Sequence, residues 1–497
     1  MVRFAARPAR ALVALSTGLV ALTGITSCGD APPPPRAGLS PSATHAPPAT
    51  TTRPTQPPPA PDTPDIPEVS KVINDALEAH RLPGAVAAIG HGGKLVFQRA
   101  YGVRKLAGEQ GLDGLPAPAE PMTADTIFDL ASLTKPLATA TAVMQLYEQG
   151  KVGVDDPIQD HLPEFNPTND PQRTRVTVRM LLTHTSGLPD VLDLRGTWGF
   201  DHADKAEGIR RALSAPLQSE PGEVFRYSDI GFILLGALIE KLTGEQEDVY
   251  VQRHIFAPLD MHDTHYLPPA KACGPHKIRG VALVSAPGKR PEACPANTWS
   301  TDLLPRIAPT ALDEEHREDP RGNPNFGRLL RGTVHDPAAR RMGGVAGSAG
   351  VFSTVHDVSR YAQALLDRLA GRPSRFPLQQ ATLQLMTAPQ QPGHSADQLR
   401  TANAAAREVG PRYPAIRGQN LRGFGWDIDT GHSRPRGTIF PIGSFGHTGF
   451  TGTSLWIDPG SDTYVVLLTN AIHLRGSRPV SDLQGAVATT AARVLGR

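Results

Sequence analysis

The sequence predicts an α/β (α+β) domain: an antiparallel sheet built from both chain ends and flanked by helices, plus a mostly helical inserted subdomain. On the amino-terminal side, two apolar runs are separated by His91, Gly92 and Gly93, a pattern typical of a β-hairpin. Near the carboxyl terminus, residues 459–462 separate two further apolar runs and indicate a second hairpin. The runs predicted to form strands are AVAAIG, KLVFQRAYG, TIFPIGSFG, GTSLWID and TYVVLLTN.

Helices are expected around these strands. Residues 69–80 (VSKVINDALEAH) have the apolar spacing of a helix, and LQGAVATTAARVLGR closes the chain as a helix. The middle of the chain is mostly helical and loop-rich, and its FILLGALI stretch is interpreted as core. Two inner segments, near 270–340 and 390–420, are polar or rich in Pro or Ala and aperiodic, so they are interpreted as insertions or long loops.

The first 28 residues are interpreted as a signal peptide and not as part of the fold. Arg3, Arg7 and Arg10 precede an apolar run that is too short for a comfortable membrane span. The run ends in I-T-S-C, which resembles the lipobox of bacterial lipoproteins and makes Cys28 the expected lipidation site. A plain secretory signal or a single membrane anchor is the alternative.

Residues 29–67 are expected to form a Pro-rich linker ahead of one folded domain, residues 68–497. Fourteen of the 49 prolines fall between Ala31 and Pro67, and such a segment cannot bury a core. At about 3 Å per residue, the linker could hold a domain on the order of 100 Å from a membrane. A lipid anchor and this spacer together predict a cell-envelope protein that faces the periplasm or the exterior.

Composition and cysteine count limit the partners. The chain is 39% hydrophobic and 20% charged with a net charge of +2, which gives no reason to expect nucleic acid as a partner. Apart from Cys28, the only cysteines are Cys273 and Cys294. In an oxidising compartment, the sequence is compatible with a disulfide between them and also with two free thiols.

The stretch that begins FDLASLTK places Ser132 at the start of a predicted helix and Lys135 three residues later. At this spacing the two side chains share a helix face, with Cβ atoms about 5–6 Å apart. A partly desolvated lysine can lose its proton and act as a base, and the helix dipole favours negative charge on the serine oxygen. The alternative is ordinary: a serine that caps a helix, beside a surface lysine. The S-x-x-K pattern occurs only here in the chain.

Two further segments carry residues capable of chemistry. EVFRYSDIG contains Tyr227 and Asp229 ahead of an apolar helix, and SFGHTGFTG contains residues 447–449 on a predicted strand. The order S-x-x-K, Y-S-x, H-T-G resembles the serine β-lactamases and D-Ala-D-Ala peptidases, of the class C and carboxypeptidase-like branch. VTVRMLLTHTSGLP, IFAPLDMHDTHY, GGVAGSAGVFST and FGWDI also resemble segments of that family, in its order, over most of residues 68–497.

This resemblance implies a β-lactamase/transpeptidase-like fold and a role for each motif residue. Ser132 would attack the substrate carbonyl and form an acyl-enzyme, Lys135 would take or share its proton, and Tyr227 would pass a proton to the leaving group. The backbone N–H groups of Ser132 and Phe450 would form the oxyanion hole. The residues implied to bind substrate or shape the site are Asp229, His447, Thr448, Gly449 and Phe450.

Two positions depart from the family pattern. Asp229 stands where Asn is usual: its carboxylate would hold Lys135 protonated and weaken it as a base, or it only caps its helix. H-T-G stands where K-T-G is common, and Lys289 is the last lysine in the chain. A histidine that can be neutral therefore replaces a fixed cation, so efficient β-lactam hydrolysis is not expected.

Other residues that suggest chemistry receive no catalytic role. His262, Asp263 and His265 lie in a stretch that resembles a surface segment of the family, and no metal or organic cofactor is expected. His184 in THTSG is interpreted as part of a structural loop. The glycines between 343 and 350 are expected to serve tight turns or close backbone approach near the site.

The predicted function is that of a lipid-anchored, cell-envelope serine hydrolase working through an acyl-enzyme. Its expected partners are a small-molecule or cell-wall peptide substrate, such as D-Ala-terminated peptides or small esters or amides, and a membrane through the lipid anchor. Weak or no β-lactamase activity is expected. The competing hypothesis is a catalytically reduced, lipid-tethered protein that binds the cell wall on the same fold.

Overall fold

The antiparallel sheet expected from both chain ends is present in the computed structural model, which describes residues 63–279, 282–287, 291, 293–476 and 479–497. The predicted signal peptide, the lipidation site Cys28 and most of the Pro-rich linker lie outside the described residues. Within the described ranges, no helix combines the length and the apolar character needed to cross a lipid bilayer.

The main sheet has eight antiparallel strands. In chain order they are β1 (Gly84–His91), β2 (Lys94–Lys105), β3 (Glu120–Pro121), β4 (Leu421–Arg422), β5 (Asp427–Asp429), β6 (Phe445–Thr448), β7 (Ser454–Asp458) and β8 (Thr463–Thr469). Their spatial order is β4–β5–β6–β7–β8–β1–β2–β3. Val86 of β1 is opposite Leu468 of β8, so the two chain ends pair inside the sheet, as predicted.

Helices surround the sheet. In the part of the chain that the structure describes they are α1 (Pro67–Glu78), α2 (Thr141–Glu148), α3 (Ile158–His161), α4 (Pro171–Thr174), α5 (Val178–Leu182), α6 (Lys205–Ser214), α7 (Asp229–Thr243), α8 (Glu247–Val251), α9 (Pro337–Arg341), α10 (Val355–Leu369), α11 (Gln380–Thr387), α12 (Gln398–Val409) and α13 (Ser481–Val494). The helices predicted at both chain ends are confirmed as α1 and α13, and the mostly helical middle is confirmed by α2 to α8.

The two faces of β1 enter different cores, because successive side chains of a strand point to opposite sides. Ala85 and Ala87 pack in a cluster with side chains of α1 and α13. Val86 and Ala88 pack in the larger cluster that contains the inner helices. Helices on both sides explain why the central strands are apolar along nearly their whole length.

Three expectations about local structure need correction. The strand expected over TIFPIGSFG begins only at Phe445, and Gly449 lies just beyond its end. The segment near 390–420 contains α12, whose Ala-rich sequence favours a helix although it has little apolar surface to bury. The segment near 270–340 contains short strands as well as loops. The short strands outside the main sheet are Phe128–Asp129, His265–Tyr266, Ala272–Cys273, His276–Arg279, Ala282–Pro287, Trp299–Ser300, Ala311–Leu312, Leu329–Leu330 and Val351–Ser353.

Cys273 and Cys294 are joined by a disulfide, with Cα atoms 5.8 Å apart. Of the two alternatives left open by the sequence, the structure therefore contains the bonded form.

The helical segment that begins at Ser132 is wound in three ways. Ala131–Leu133 forms a 3₁₀ turn, Lys135–Ala140 is π-helical, and α2 completes the segment. The sequence predicted a helix start at Ser132. The segment ends just before Gly150, which has a positive φ of +66°. The wider π-helical segment begins at Lys135, and such segments are frequent at functional sites.

Close backbone approach explains one of the glycines of the 343–350 segment. A Cβ on Gly347 would lie 2.1 Å from the carbonyl oxygen of Phe232 in α7. The neighbouring residue Ser348 accepts a hydrogen bond from Lys135, so this contact fixes the backbone that holds the lysine. The expectation of close packing near the site is confirmed here.

The buried carboxyl group of Glu247 is connected to the same backbone through Thr139. Glu247 Oε1 accepts a 2.8 Å hydrogen bond from Thr139, whose hydroxyl also lies 2.8 Å from the carbonyl oxygen of Gly347. Burial raises the pKa of Glu247 to about 7, against a partial offset from the charge of Lys205. The protonated form of Glu247 is therefore favoured in the folded protein.

Replacing Glu247 by glutamine is expected to stabilise the protein at pH 8.5 but not at pH 5. Because folding raises the pKa of Glu247, its protonation contributes to the free energy of unfolding. This contribution is fully present below the unfolded-state pKa and is lost as the pH rises through about 7. The loss is on the order of 3 kcal/mol, which glutamine avoids because it stays neutral and keeps an oxygen for Thr139. Thermal unfolding at both pH values checks this, with the exposed Glu78→Gln as control. Equal effects of Glu247→Gln at pH 5 and 8.5 would contradict the prediction.

Candidate active site

A cavity of about 540 Å³ lies where the 3₁₀ turn of Ser132, the start of α7 and strand β6 meet. Its lining includes residues from all three predicted motifs: Ser132, Tyr227, Asp229, His447, Thr448 and Phe450. Segments that are far apart in sequence therefore converge on one opening, as the family resemblance implied.

Lys135 is fully buried beside Ser132. Its ammonium group donates to Ser132 Oγ at 2.9 Å and to the carbonyl oxygen of Ser348 at 2.8 Å. Its Nζ also lies 2.7 Å from Asp229 Oδ1. Two hydrogen bonds and the ion pair with Asp229 therefore hold the lysine beside Ser132.

The charge state of Lys135 is set by its neighbours. Burial lowers the pKa of Lys135, but Asp229 and Tyr227 more than offset this effect, and the net shift is upward. Burial also raises the pKa of Tyr227, and the charge of Lys135 only partly offsets it. In the free protein near neutral pH, the structure thus favours an ammonium at Lys135 and a neutral phenol at Tyr227.

The position of Asp229 decides between the two roles left open for it. Ser228, and not Asp229, caps α7, because the Ser228 hydroxyl accepts from the N–H of Gly231 at 3.2 Å. The side chain of Asp229 instead forms the ion pair with Lys135. The aspartate that replaces the usual Asn of this motif therefore affects the charge of Lys135, the candidate base.

Imidazole rings surround Tyr227. His184 stacks on its ring at a centroid distance of 4.3 Å, and His432 and His447 lie at 5.3 and 6.0 Å. His184 Nδ1 accepts from the N–H of Ser228 at 3.1 Å, so the neutral ring carries its proton on Nε2. The interpretation of His184 as part of a structural loop agrees with this contact. The structure adds that His184 positions the Tyr227–Ser228 turn.

His447 is buried on β6 with one ring nitrogen engaged. Its Nδ1 donates to the carbonyl oxygen of Thr448 at 2.7 Å, so in the neutral ring Nε2 is an acceptor. Burial lowers the pKa of His447 well below its usual range, and the charges of Arg422 and Lys135 lower it further. His447 is therefore neutral at pH 7 and does not supply the cation that a lysine would place there.

The segment after His447 is anchored to the backbone just before Ser132. Thr451 donates to the carbonyl oxygen of Asp129 at 2.8 Å, and Thr453 donates to that of Leu130 at 3.0 Å. Phe450, which directly precedes Thr451, is 73% exposed and its ring stacks on His335 at a centroid distance of 5.8 Å. The two threonines therefore hold the implied oxyanion donors, the N–H groups of Ser132 and Phe450, on adjacent segments.

Gly449 leaves no room for a side chain. A Cβ at this position would lie 2.2 Å from Thr453 Oγ1 and 2.3 Å from the carbonyl oxygen of Leu130. Gly449→Ala is expected to push the loop away from the Ser132 turn and to lower the acylation rate at least ~10-fold, because small displacements at a reacting centre are costly. The rate of labelling by a fluorophosphonate measures this. Gly460→Ala is the control, and equal labelling rates would contradict the prediction.

The residue before Ser132 has an unusual backbone. Ala131 has a φ of +47°, which is rare for a residue with a side chain. Its N–H donates to Asp129 Oδ1 at 2.9 Å, and Asp129 Oδ2 accepts from the N–H of His335 at 2.7 Å. Burial raises the pKa of Asp129 to about 6, although both N–H groups favour the carboxylate. Asp129 therefore ties the Ser132 turn to the opposite wall of the cavity.

Several cavity residues were not identified from the sequence. His335, Asp336, Arg422 and His432 line the cavity, and none belongs to one of the three motifs. Burial raises the pKa of Asp336 to about 6, and the charge of Asp229 adds to this. The available signal was weak: Arg422 directly precedes the segment GFGWDI, part of which resembles the family.

The candidate metal ligands do not form a site. His265 Nδ1 lies 3.0 Å from Gln252 Oε1, and Asp263 forms an ion pair with Arg306 at 2.6 Å. Among the described residues, no three His, Cys, Asp or Glu side chains are grouped so that they could hold a metal ion.

The fold and the Ser132–Lys135–Tyr227 cavity define a serine hydrolase. Residues 69–488 match the family model described as Beta-lactamase. The chain belongs to this family, the serine β-lactamase and transpeptidase-like group.

Curated relatives carry three different names. The chain is 30% identical to the N-acetylmuramyl-L-alanine amidase of Bacillus subtilis (strain 168) over 401 residues, which cover 79% of this chain and 78% of the relative. It is 28% identical, over the same shares, to an Escherichia coli (strain K12) protein with the provisional name D-alanyl-D-alanine carboxypeptidase. It is 29% identical to the esterase EstB of Burkholderia gladioli, over 82% of this chain and 91% of the relative.

A solved structure has the same fold at low sequence identity. The octameric penicillin-binding protein homologue from Pyrococcus abyssi aligns with a TM-score of 0.55 and 21% identity, covering 87% of this chain and 78% of that one. This likeness confirms the predicted fold class.

Proposed function

We propose that this chain hydrolyses peptide, amide or ester bonds at the cell envelope through an acyl-enzyme on Ser132. D-Ala-type wall peptides and small esters are the substrate classes. The observation that carries the proposal is the 2.9 Å contact between Ser132 Oγ and Lys135 Nζ, in a cavity that Tyr227 also lines. Relatives named amidase, carboxypeptidase and esterase support the three bond types.

Acylation needs a base for the serine proton. Lys135 in its unprotonated form takes the proton from Ser132 Oγ as that oxygen bonds to the substrate carbonyl carbon. The N–H groups of Ser132 and Phe450 stabilise the developing oxyanion. The neutral phenol of Tyr227 then protonates the leaving nitrogen or oxygen, the bond to the leaving group breaks, and Lys135 returns its proton to the tyrosine.

Deacylation reverses the proton transfers. Water attacks the acyl carbon and gives a proton to the Tyr227–Lys135 pair. The bond between Ser132 Oγ and the acyl carbon then breaks, and Ser132 regains its proton. The product acid leaves and the starting protonation state is restored.

Weak or no β-lactamase activity is part of this proposal. The neutral His447 supplies no fixed positive charge at the third motif. Lipid anchoring at Cys28 is a second part, which rests on the sequence of the signal region. The relative named as a D-alanyl-D-alanine carboxypeptidase supports a location at the cell envelope.

One observation favours a second candidate function. The 2.7 Å ion pair with Asp229 keeps Lys135 protonated and unable to accept the serine proton. A protein locked in that state would bind cell-wall peptides without turning them over.

Labelling with a fluorophosphonate probe tests the proposed function. The expected result is one adduct per chain, located on Ser132 by mass spectrometry of the peptide. Hydrolysis assays with p-nitrophenyl acetate, a D-Ala-D-Ala peptide and nitrocefin then rank the substrate classes. An unlabelled protein that still retains wall peptide would support the binding function instead.

A further inference from the structure

Glu247 is a buried carboxyl group that the proposed mechanism does not use. It is the first residue of α8, and its side chain is inaccessible to solvent. Its Oε2 has no hydrogen-bond partner among the described residues and lies so close to α7 that a Cβ on Gly236 would be 2.5 Å away. Its Oε1 lies 2.8 Å from the hydroxyl oxygen of Thr139. The carboxyl group is therefore enclosed, and Thr139 is its route to the rest of the site.

The hydroxyl group of Thr139 has two possible acceptors and one proton. Its oxygen lies 2.8 Å from Glu247 Oε1 and 2.8 Å from the carbonyl oxygen of Gly347. A carboxylate and a backbone carbonyl can only accept, whereas a protonated carboxyl group can also donate. The protonation of Glu247 therefore determines which of the two oxygens receives the Thr139 proton.

Two arrangements of this hydrogen-bond chain follow. When Glu247 is protonated, its O–H can donate to Thr139, and the Thr139 O–H then donates to Gly347. When Glu247 is ionised, the Thr139 O–H donates to the carboxylate, because hydrogen bonds to charged acceptors are the stronger ones. The carbonyl oxygen of Gly347 then loses its donor.

The backbone that carries this carbonyl also holds the candidate base. The next residue, Ser348, accepts a 2.8 Å hydrogen bond from Lys135 through its own carbonyl oxygen. Thr139 and Lys135 also belong to the same π-helical segment. Because Lys135 Nζ is 2.9 Å from Ser132 Oγ, a change in the Gly347–Ser348 backbone is passed on to the reacting pair.

Titratable groups act on Glu247 from several sides. Burial has the largest effect and raises the pKa of Glu247 to about 7; the charge of Lys205 on α6 opposes this, and those of Glu240 on α7 and Asp248 on α8 add to it. Lys205 Nζ lies 2.6 Å from Glu240 Oε1, so these two charges are paired with each other. The phenol of Tyr266 is neutral, because burial raises its pKa well above the usual range. Both forms of Glu247 are therefore populated near neutral pH.

We propose that Glu247 is a positioning residue that acts on Lys135 through Thr139. When Glu247 ionises, Thr139 withdraws its proton from Gly347, and the backbone that holds Lys135 loosens. This inference rests on the proposed function, because Lys135 is the base of that reaction. Acylation in alkaline solution is consequently slower than it would be with a neutral hydrogen-bond donor at position 247.

The ratio of two labelling rates tests this inference. Fluorophosphonate labelling per folded molecule is measured for Glu247→Gln and for the wild type at pH 6 and 8.5. Glutamine stays neutral, and its amide N–H can donate to Thr139 at both pH values. The ratio of the variant's rate to the wild type's is expected to be near 1 at pH 6 and roughly 3 to 10 at pH 8.5, the effect of one neutral hydrogen bond. A ratio that is the same at both pH values overturns the inference.

A second substitution separates the hydrogen-bond chain from a direct effect of charge on Lys135. Thr139→Val removes the shared hydroxyl group and keeps a similar volume. In this background, Glu247→Gln is expected to leave the labelling rate unchanged at pH 8.5, since the two residues act in series. A full effect of Glu247→Gln without the hydroxyl group would mean that the charge of Glu247 acts on Lys135 directly, which overturns the inference.

Asp357→Asn is the matched control. Asp357 is also buried, its Oδ2 accepts from the Thr264 hydroxyl at 2.8 Å, and burial raises its pKa to about 6. It belongs to α10 and has no contact with Thr139 or Gly347 in the described hydrogen bonds. Its substitution is expected to give the same rate ratio at pH 6 and 8.5.

A spectroscopic readout needs neither labelling nor activity. Cell-free synthesis with glycine labelled by ¹³C at the carbonyl and with ¹⁵N-serine selects the four Gly–Ser peptide bonds of the chain, and Ser348→Ala identifies the signal of Gly347. The ¹³C shift of the Gly347 carbonyl is expected to titrate with a midpoint near pH 7 in the wild type and to stay constant in Glu247→Gln. A shift that does not titrate in the wild type overturns the inference whether or not the variants fold. Failure of fluorophosphonate labelling alongside a titrating shift would count against the hydrolase function alone.

Discussion

Replacing Lys135 by methionine is expected to lower kcat/KM for p-nitrophenyl acetate by about 10²–10⁴-fold, the range that a positioned general acid–base group contributes. Methionine fills a similar volume and cannot accept the proton of Ser132 Oγ. The loss should persist at every pH, because no unprotonated form of the side chain returns at high pH. Initial rates from pH 6 to 10 measure it.

Lys105 provides the matched control for this variant. It is also fully buried, but its ammonium donates to the backbone carbonyls of Leu106, Glu109, Ala117 and Pro118. Lys105→Met is expected to lower the melting temperature and to preserve the activity of the protein that remains folded. If Lys135→Met and Lys105→Met keep similar activity per folded molecule, Lys135 is not the base.

Replacing Asp229 by asparagine is expected to raise kcat/KM at pH 7 by about 10-fold or more. In the proposed mechanism the unprotonated form of Lys135 is the active one, and the carboxylate of Asp229 raises the pKa of Lys135. Without that charge the pKa of Lys135 falls, so the acid limb of the pH–rate profile moves to lower pH. Each unit of this shift increases the unprotonated fraction at pH 7 about 10-fold. At pH values above this limb, the kcat/KM values of the wild type and the variant should converge.

The double variant Asp229→Asn with Lys135→Met shows whether the effect acts through the lysine. Because the two side chains are in contact, their effects should be strongly non-additive, and the double variant should be as slow as Lys135→Met alone. A fall in rate for Asp229→Asn at all pH values would show instead that the carboxylate assists the reaction, for example by orienting the substrate.

The sheet and its hairpins could be predicted because their signals are local. Apolar runs, turn residues and short spacings located β1, β2, β7 and β8, and the same logic located α1 and α13. The helix α12 was missed because its sequence is polar and few of its side chains are buried: Ala402 is its only buried residue. The third-motif strand was placed too early because TIF and SFG are separated by Pro441, which ends regular pairing.

Part of the candidate site was predictable for the same reason. Ser132 and Lys135 are three residues apart, so helical winding alone brings them within reach. The motif order then located Tyr227 and His447 through a family resemblance. His184, Asp336 and Arg422 belong to no such spacing, and only folding brings them to the cavity.

The sequence by itself determined most strands of the sheet, the terminal helices and the proximity of Ser132 to Lys135, since these depend on contacts between residues close in the chain. Tertiary structure alone decided the surroundings that set the charge of that amine, and it decided which residues from outside the three motifs line the cavity. The carbonyl that holds Lys135 is 213 residues away in Ser348, and its counter-ion Asp229 comes from a different helix. Ionisation depends on burial and on charges within a few ångströms, and no local pattern in the chain encodes those distances.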